Sequence, residues 1–284
     1  MFGFRADGKK LKSVSPIFKL MPIIMKKRSD SHVYYTEDIP LAPLDEYIAK
    51  KAEEGIRLTY MNIIYASIVR VLAEKPSLNR FIINCRAYKR NEIWVSFVIK
   101  KNMSEDGEET VIKLPFTGSE NIFQIKDMLD KAISENKEIT AENDTDKLTK
   151  VLAHVPHFLM KFAVNFLIFL DKINCLPKSI IDASPFHTSA FLTNVGSLGI
   201  DAIYHHIYDF GTTGMFLAMG KKKKSFIYDD DNNFKEERSI SLAWVADERI
   251  CDGFYYANAI KAFKRYLKKP ELLEKNIEPV KDVD

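Results

Sequence analysis

Two rhythms of apolar and polar positions run through the chain. Residues 33–39 alternate with period two and predict a strand. Over residues 43–54 the spacing is helical, with Leu44, Tyr47 and Ile48 on one face and Gly55 as the stop. Thr59 stands where an N-cap is wanted, ahead of Tyr60, Ile63, Ile64, Ile68, Val71 and Leu72 at helical intervals. Pro76 ends that helix. Residues 80–88 and 93–99 predict a strand pair with Asn91 in its turn, and 110–114 a further strand. Ile122, Ile125, Met128, Leu129, Ala132 and Ile133 mark an amphipathic helix. A polar stretch, 136–150, is expected on the surface. Strands are predicted at 189–195, 214–220 and 239–245, before a closing helical run that ends at Leu273. This order implies an α+β sandwich, a mixed sheet with helices packed on it. Residues 1–30 are basic and irregular and are expected to form an arm; 31–284 are expected to form a single domain, with no repeat or linker to divide them.

Residues 151–170 are rich in Leu, Phe and Val but are interrupted by His154, Pro156, His157, Lys161 and Asn165. A spanning helix needs about 20 mostly apolar residues. The segment is therefore expected to be a buried or interfacial helix, with a membrane-surface contact as the less favoured alternative and no span. A net charge of +3 is too small to point to nucleic acid. The three cysteines, Cys85, Cys175 and Cys251, show no disulfide or metal spacing, which suits a reducing, cytoplasmic setting. The N-terminus lacks the apolar core of a signal peptide. His154 and His157 share a helix face, but no carboxylate or cysteine completes a zinc site, so no metal is expected.

The run Ala246-Asp247-Glu248-Arg249-Ile250-Cys251-Asp252-Gly253 lies between a strand pattern and a helix pattern. It resembles the signature of the chloramphenicol acetyltransferases and of the catalytic domain of 2-oxoacid dehydrogenase acyltransferase subunits, a histidine followed three residues later by Asp-Gly. Phe191-Leu192-Thr193-Asn194-Val195-Gly196, the strand ending at Gly220, the Pro76-Ser77-Leu78-Asn79 segment and the closing helix resemble the same families in the same order. The resemblance covers about residues 26–273 and implies a chloramphenicol acetyltransferase-like fold. It also implies a homotrimer with active sites between subunits, and acyl-coenzyme A as a cosubstrate that is not tightly bound. The length leaves no room for the lipoyl and peripheral-subunit-binding domains of the dehydrogenase subunits.

The family's chemistry maps onto named positions. Thr193 stands at the hydroxyl position that stabilises the oxyanion, and Asp252 at the structural aspartate, with Arg28 as its expected partner. Gly253 is expected to permit a tight strand-to-helix turn. Glu248 stands where the family has its catalytic histidine. A carboxyl ordinarily titrates near 4.3 and an imidazole near 6.5, so a glutamate base needs burial to match. Three readings of Glu248 stay open: a working base, a residue salt-bridged to Arg249 or a neighbour, or a lost function. His205 and His206, in a segment that lines the substrate region in the family, are candidates for substrate contact or a substitute base. Lys221 and Lys222 open a four-lysine run suited to the phosphates of coenzyme A. The expected function is transfer of an acyl group between coenzyme A and a small hydroxyl, thiol or amine acceptor; the alternative is an inactive trimeric binding or scaffold protein.

Overall fold

The computed structural model describes residues 5–101, 109–137, 143–228 and 233–282. In chain order the strands are β1 (Gly8–Lys10), β2 (His32–Pro40), β3 (Arg80–Ile83), β4 (Arg86–Arg90), β5 (Ile93–Lys100), β6 (Glu109–Phe116), β7 (Ala190–Asn194), β8 (Met215–Tyr228) and β9 (Phe234–Asp247). The α-helices are α1 (Pro16–Ile24), α2 (Ala42–Glu53), α3 (Tyr60–Glu74), α4 (Ile122–Lys137), α5 (Asp144–Ala153), α6 (His157–Lys172), α7 (Lys178–Ala183) and α8 (Gly253–Lys268).

Six strands form one mixed sheet in the order β2-β9-β8-β7-β5-β6. β7 runs parallel to both β5 and β8, and the outer pairs are antiparallel. Alternation sends Leu192, Leu217, Leu242 and Trp244 to one face, where α2, α3, α4 and α8 cover them. α3 is the centre of that layer. Its Thr59–Asn62 capping box satisfies the first turn, and every residue from Asn62 to Ala73 is buried. Fully burying each such Leu or Ile contributes about 1.5–3 kcal/mol. The opposite face carries a smaller cluster, Phe191, Phe216, Val245 and Ile207, in which Ile207 belongs to the irregular segment between β7 and β8. Thr193, two residues after Phe191, shares this second face.

Several expectations change. The predicted strand pair about Asn91 is divided between two sheets. β3 and β4 form the hairpin, turned by Asn84 and Cys85 at φ 47° and 57°, and join β1 in a three-stranded sheet. β5 starts afresh in the large sheet. The lysine run does not follow a strand but lies inside one, because β8 continues through Lys221–Lys224 against β9, with a bulge between Met219 and Lys222. The polar stretch 136–150 holds most of α5, although residues 138–142 fall outside the described set. Segment 151–170 is not a core helix: the one buried side chain of α6 is Asp171.

The N-terminal stretch is also more than an arm. Beyond residues 1–4, which lie outside the described set, it supplies β1, α1 and a buried ion cluster. Arg5 Nε donates to Asp7 Oδ1 at 2.8 Å and Arg5 Nη1 to Asp171 Oδ1 at 2.7 Å, and Arg90 Nη1 stands 3.9 Å from Asp7. His187 Nε2 lies 3.4 Å from Asp171. The pairing keeps the buried charges compensated and ties the chain's start to the end of α6.

Where β7 ends, the chain passes directly over β8. A Cβ on Gly196 would sit 2.2 Å from the Gly220 carbonyl oxygen, so no side chain fits there. Gly196→Ala is expected to destabilise the fold by about 1–3 kcal/mol, the usual cost of overpacking. Urea unfolding checks this, and an unchanged midpoint would contradict it.

Candidate active site

Glu248 is the first residue beyond β9, and the turn that holds it is built on Asp247. That carboxylate is buried at the strand end. It receives Arg249 Nε at 2.8 Å and Arg249 Nη2 at 2.6 Å, and Ser31 Oγ at 2.9 Å. Arg28 Nε lies 3.5 Å away. Arg249 also donates to the Met25 carbonyl at 3.0 Å, and Arg28 to the carbonyls of Tyr208 and Gly211. The Arg28 backbone N–H donates to Asp209 at 2.8 Å. One carboxylate thus fastens together the end of β9, the segment after α1 and the loop before β8. Burial alone would raise the Asp247 pKa, but the Arg249 hydrogen bonds, the Arg249 and Arg28 charges and the Ser31 hydroxyl together hold it below the usual carboxylate range.

This geometry corrects the expected partner of Arg28. The guanidinium pairs with Asp247, not Asp252, because Asp247 ends a buried strand while Asp252 is exposed at the start of α8. Asp252 instead caps that helix, accepting from the Tyr255 backbone N–H at 2.7 Å. Nor is Gly253 needed for a tight turn: it is the first residue of α8, has no positive φ, and a Cβ there would meet nothing within 4 Å. The reading of Glu248 as salt-bridged to Arg249 does not hold, since Arg249 is committed to Asp247. The Glu248 backbone N–H donates to the Ser31 carbonyl at 2.8 Å. Its exposed side chain has no hydrogen-bond or ion-pair partner among the described residues.

Thr193 is half-buried and pairs in register with Ala218, which pairs with Ala243. β9 runs opposite to β7, so from Ala243, level with Thr193, it carries the chain to Asp247 beyond the N-terminal end of β7. Four residues of rise along β9 and two strand spacings separate Thr193 from Asp247 by roughly 16 Å, with Glu248 beyond. Within one chain the hydroxyl and the carboxylate therefore do not meet.

His205 stacks on Phe216 with ring centroids 4.1 Å apart, on the sheet face that Thr193 shares. Burial lowers its pKa, and its Nδ1 lies 3.3 Å from the His206 carbonyl. His206 is exposed, its ring edge-on to Tyr208 at 4.7 Å. Lys222 Nζ lies 4.3 Å over the Tyr60 ring. Lys223 and Lys224 are paired with Asp38 and Glu236, which neutralises half the run. Lys221 is exposed and has no ion pair among the described residues. Asp247 and Ser31 were missed by sequence reasoning, and Arg249 was named only as a possible partner of Glu248, although Asp247 and Arg249 flank Glu248 directly.

Residues 185–274 match the family model described as 2-oxoacid dehydrogenases acyltransferase (catalytic domain). That span holds Thr193, Glu248 and Asp252 but not Arg28. No curated protein matched the chain by sequence. Among solved structures, a probable dihydrolipoamide acetyltransferase from Listeria monocytogenes is similar at 17% identity and TM-score 0.56, over 92% of this chain and 95% of that one. A dihydrolipoamide acetyltransferase from Azotobacter vinelandii aligns at 15% identity and TM-score 0.55, over 93% and 94%. A chloramphenicol acetyltransferase aligns at 13% identity and TM-score 0.56, over 92% and 100%.

Asp247→Asn leaves two buried guanidiniums short of their counter-ion and is expected to cost about 3–5 kcal/mol. The depressed Asp247 pKa also fixes a pH dependence. A carboxylate with a lowered folded pKa stabilises the fold above its unfolded value, about 3.9, and that contribution fades as pH falls through and below it. Chemical denaturation as a function of pH should show a shallower acid slope in Asp247→Asn than in the native protein; parallel slopes would contradict the assignment. The chain thus has the fold of the chloramphenicol and dihydrolipoamide acetyltransferases, and its C-terminal third matches the acyltransferase catalytic domain of the 2-oxoacid dehydrogenase family.

Proposed function

We propose that the protein is an acyltransferase that moves an acyl group between coenzyme A and a small hydroxyl, thiol or amine acceptor, and that it works as a homotrimer. The observation that carries this reading is the separation of Thr193 from Glu248 by more than roughly 16 Å along one sheet. A heterologous contact between copies of the chain brings one subunit's hydroxyl against the next subunit's carboxylate, and a closed ring repeats that contact at every interface. The resemblance to families with intersubunit sites supports the trimer. So does the fold likeness to the cubic core of the pyruvate dehydrogenase multienzyme complex, since a cube is organised on three-fold axes.

In this reading Glu248 accepts the proton of the acceptor group. The freed nucleophile attacks the thioester carbonyl, and the Thr193 hydroxyl donates to the oxyanion that forms. Collapse breaks the carbon–sulfur bond, and the departing thiolate recovers its proton from Glu248. The side chain of Glu248 suits this role, because no partner among the described residues of its own subunit occupies the carboxylate. Lys221, with its exposed ammonium, is placed to attract a coenzyme A phosphate. Coenzyme A binds as a cosubstrate in this scheme, and no tightly held cofactor is required.

The same exposure supports a second reading, a scaffold that kept the fold and lost its base. Kinetics separate the two. With acetyl-coenzyme A and a panel of hydroxyl, thiol and amine acceptors, Glu248→Gln is expected to lower kcat by roughly 100- to 10,000-fold. Trimers reassembled from a mixture of Thr193→Ala and Glu248→Gln subunits should regain part of the rate, because some interfaces then carry both native groups. No transfer by the native protein would leave the scaffold reading. Transfer that does not recover on mixing would place the site within one subunit and turn attention to His205.

A further inference from the structure

α6 is an apolar helix that buries none of its apolar side chains. Phe158 and Phe162 are each 70% exposed, and Phe166, Phe169 and Leu159 are also open to solvent. α1 repeats the arrangement with Ile17, Leu20, Ile23 and Ile24. The two helices share one side of the molecule. A cleft of about 420 Å³ is lined by Lys26 and Lys27 just after α1, by the Asn84–Cys85 turn and by Ile168 and Lys172 of α6, and it reaches Asp171, Asp209 and the clamp arginines Arg28 and Arg249. On the other side of that turn, a cleft of about 910 Å³ is lined by Lys9, Lys10, Lys12 and Lys19 with Arg86, over a floor that includes Leu11 and Phe18.

Lysine is in excess on this side, although Asp171 and Asp209 also line the smaller cleft. Residues 8–29 and 147–170 contain no Asp or Glu, although acidic residues make up 39 of the 284. Lys9, Lys12, Lys19, Lys26 and Lys27 are exposed and make no ion pair among the described residues. Large apolar side chains beside unpaired lysines, on helices too short to cross a bilayer, are the chemistry of helices that lie in the plane of an anionic membrane surface. α6 has 16 residues, about 24 Å of rise against a hydrocarbon core of about 30 Å. No helix among the described residues is long and apolar enough to span. A second copy docked face to face would set lysines against lysines, which disfavours self-association through this side.

We propose that α1 and α6 form a docking surface for an anionic lipid bilayer, with the Phe158–Phe169 face inserted at the acyl boundary and the lysine clefts against the headgroups. This takes up the membrane-surface alternative for residues 151–170. It does not rest on the proposed chemistry, because the exposed faces of α1 and α6 contain neither Thr193 nor Glu248, although the smaller cleft reaches Arg28 and Arg249 of the Asp247 clamp.

Flotation with vesicles tests it. The native protein should float with vesicles of mixed phosphatidylglycerol and phosphatidylcholine, and bind phosphatidylcholine alone at least about tenfold more weakly. Roughly 1 M salt should release much of the bound protein by screening the lysines. Phe162→Glu combined with Phe166→Glu should abolish flotation while circular dichroism stays native, since both side chains are exposed. Lys19→Glu with Lys26→Glu should weaken binding by at least about fivefold for each lysine reversed. Absence of flotation with the anionic vesicles overturns the proposal, as does equal binding to both vesicle types or full retention of binding by the phenylalanine double variant. Light scattering that shows this variant dissociating an oligomer of a protein that never floats would assign the face to a second copy instead.

Discussion

Asp247 carries one buried negative charge between two buried guanidiniums, and the shape of the turn after β9 depends on that arrangement. Removing the carboxylate would leave Arg28 and Arg249 uncompensated in a place water does not reach, a costly state in a low-dielectric interior. The same pairing holds the segment after α1 and the loop at 208–211 against the sheet end. Glu248 projects from this clamp without taking part in it. The turn is therefore held by Asp247 and the two arginines, and the side chain at 248 adds no contact to it among the described residues.

Strand direction supplies the second constraint. β7 runs parallel to β8 and β9 runs back, so Thr193 and Glu248 are held apart, toward opposite ends of the short strand β7. No side-chain rotation spans roughly 16 Å. In the proposed function a single chain therefore presents two half-sites, and catalysis by this pair requires a neighbour.

Much of this was legible in the sequence, and the remainder was hidden for definable reasons. α3 was plain because an all-round buried helix with a capping box shows both its period and its start. The centres of β7, β8 and β9 were plain for the same kind of reason, while the ends of β8 and β9 were not. Past Gly220 the two strands leave the core, and the apolar pattern stops although the backbone ladder continues. The position of Glu248 could be read from the signature. The partner of Arg28 could not, because two aspartates five residues apart compete and only burial decides between them. Hydropathy likewise placed an apolar helix at α6 but could not say whether a core or solvent surrounds it, and the ion cluster around Arg5 joins residues too distant in sequence to leave a local mark.

The central claim is that Thr193 and Glu248 meet across a subunit boundary. Chemical cross-linking tests it most directly, in a protein with the exposed Cys85 and Cys175 replaced by serine and with Thr193→Cys and Glu248→Cys introduced together. A bismaleimide with a spacer of about 8 Å is shorter than the separation of the two positions within one chain, which exceeds roughly 16 Å by strand geometry. The account predicts covalent dimers and trimers on a denaturing gel for the double variant and monomers for each single variant. Monomers alone from the double variant, in a protein that light scattering shows to be assembled, would contradict it.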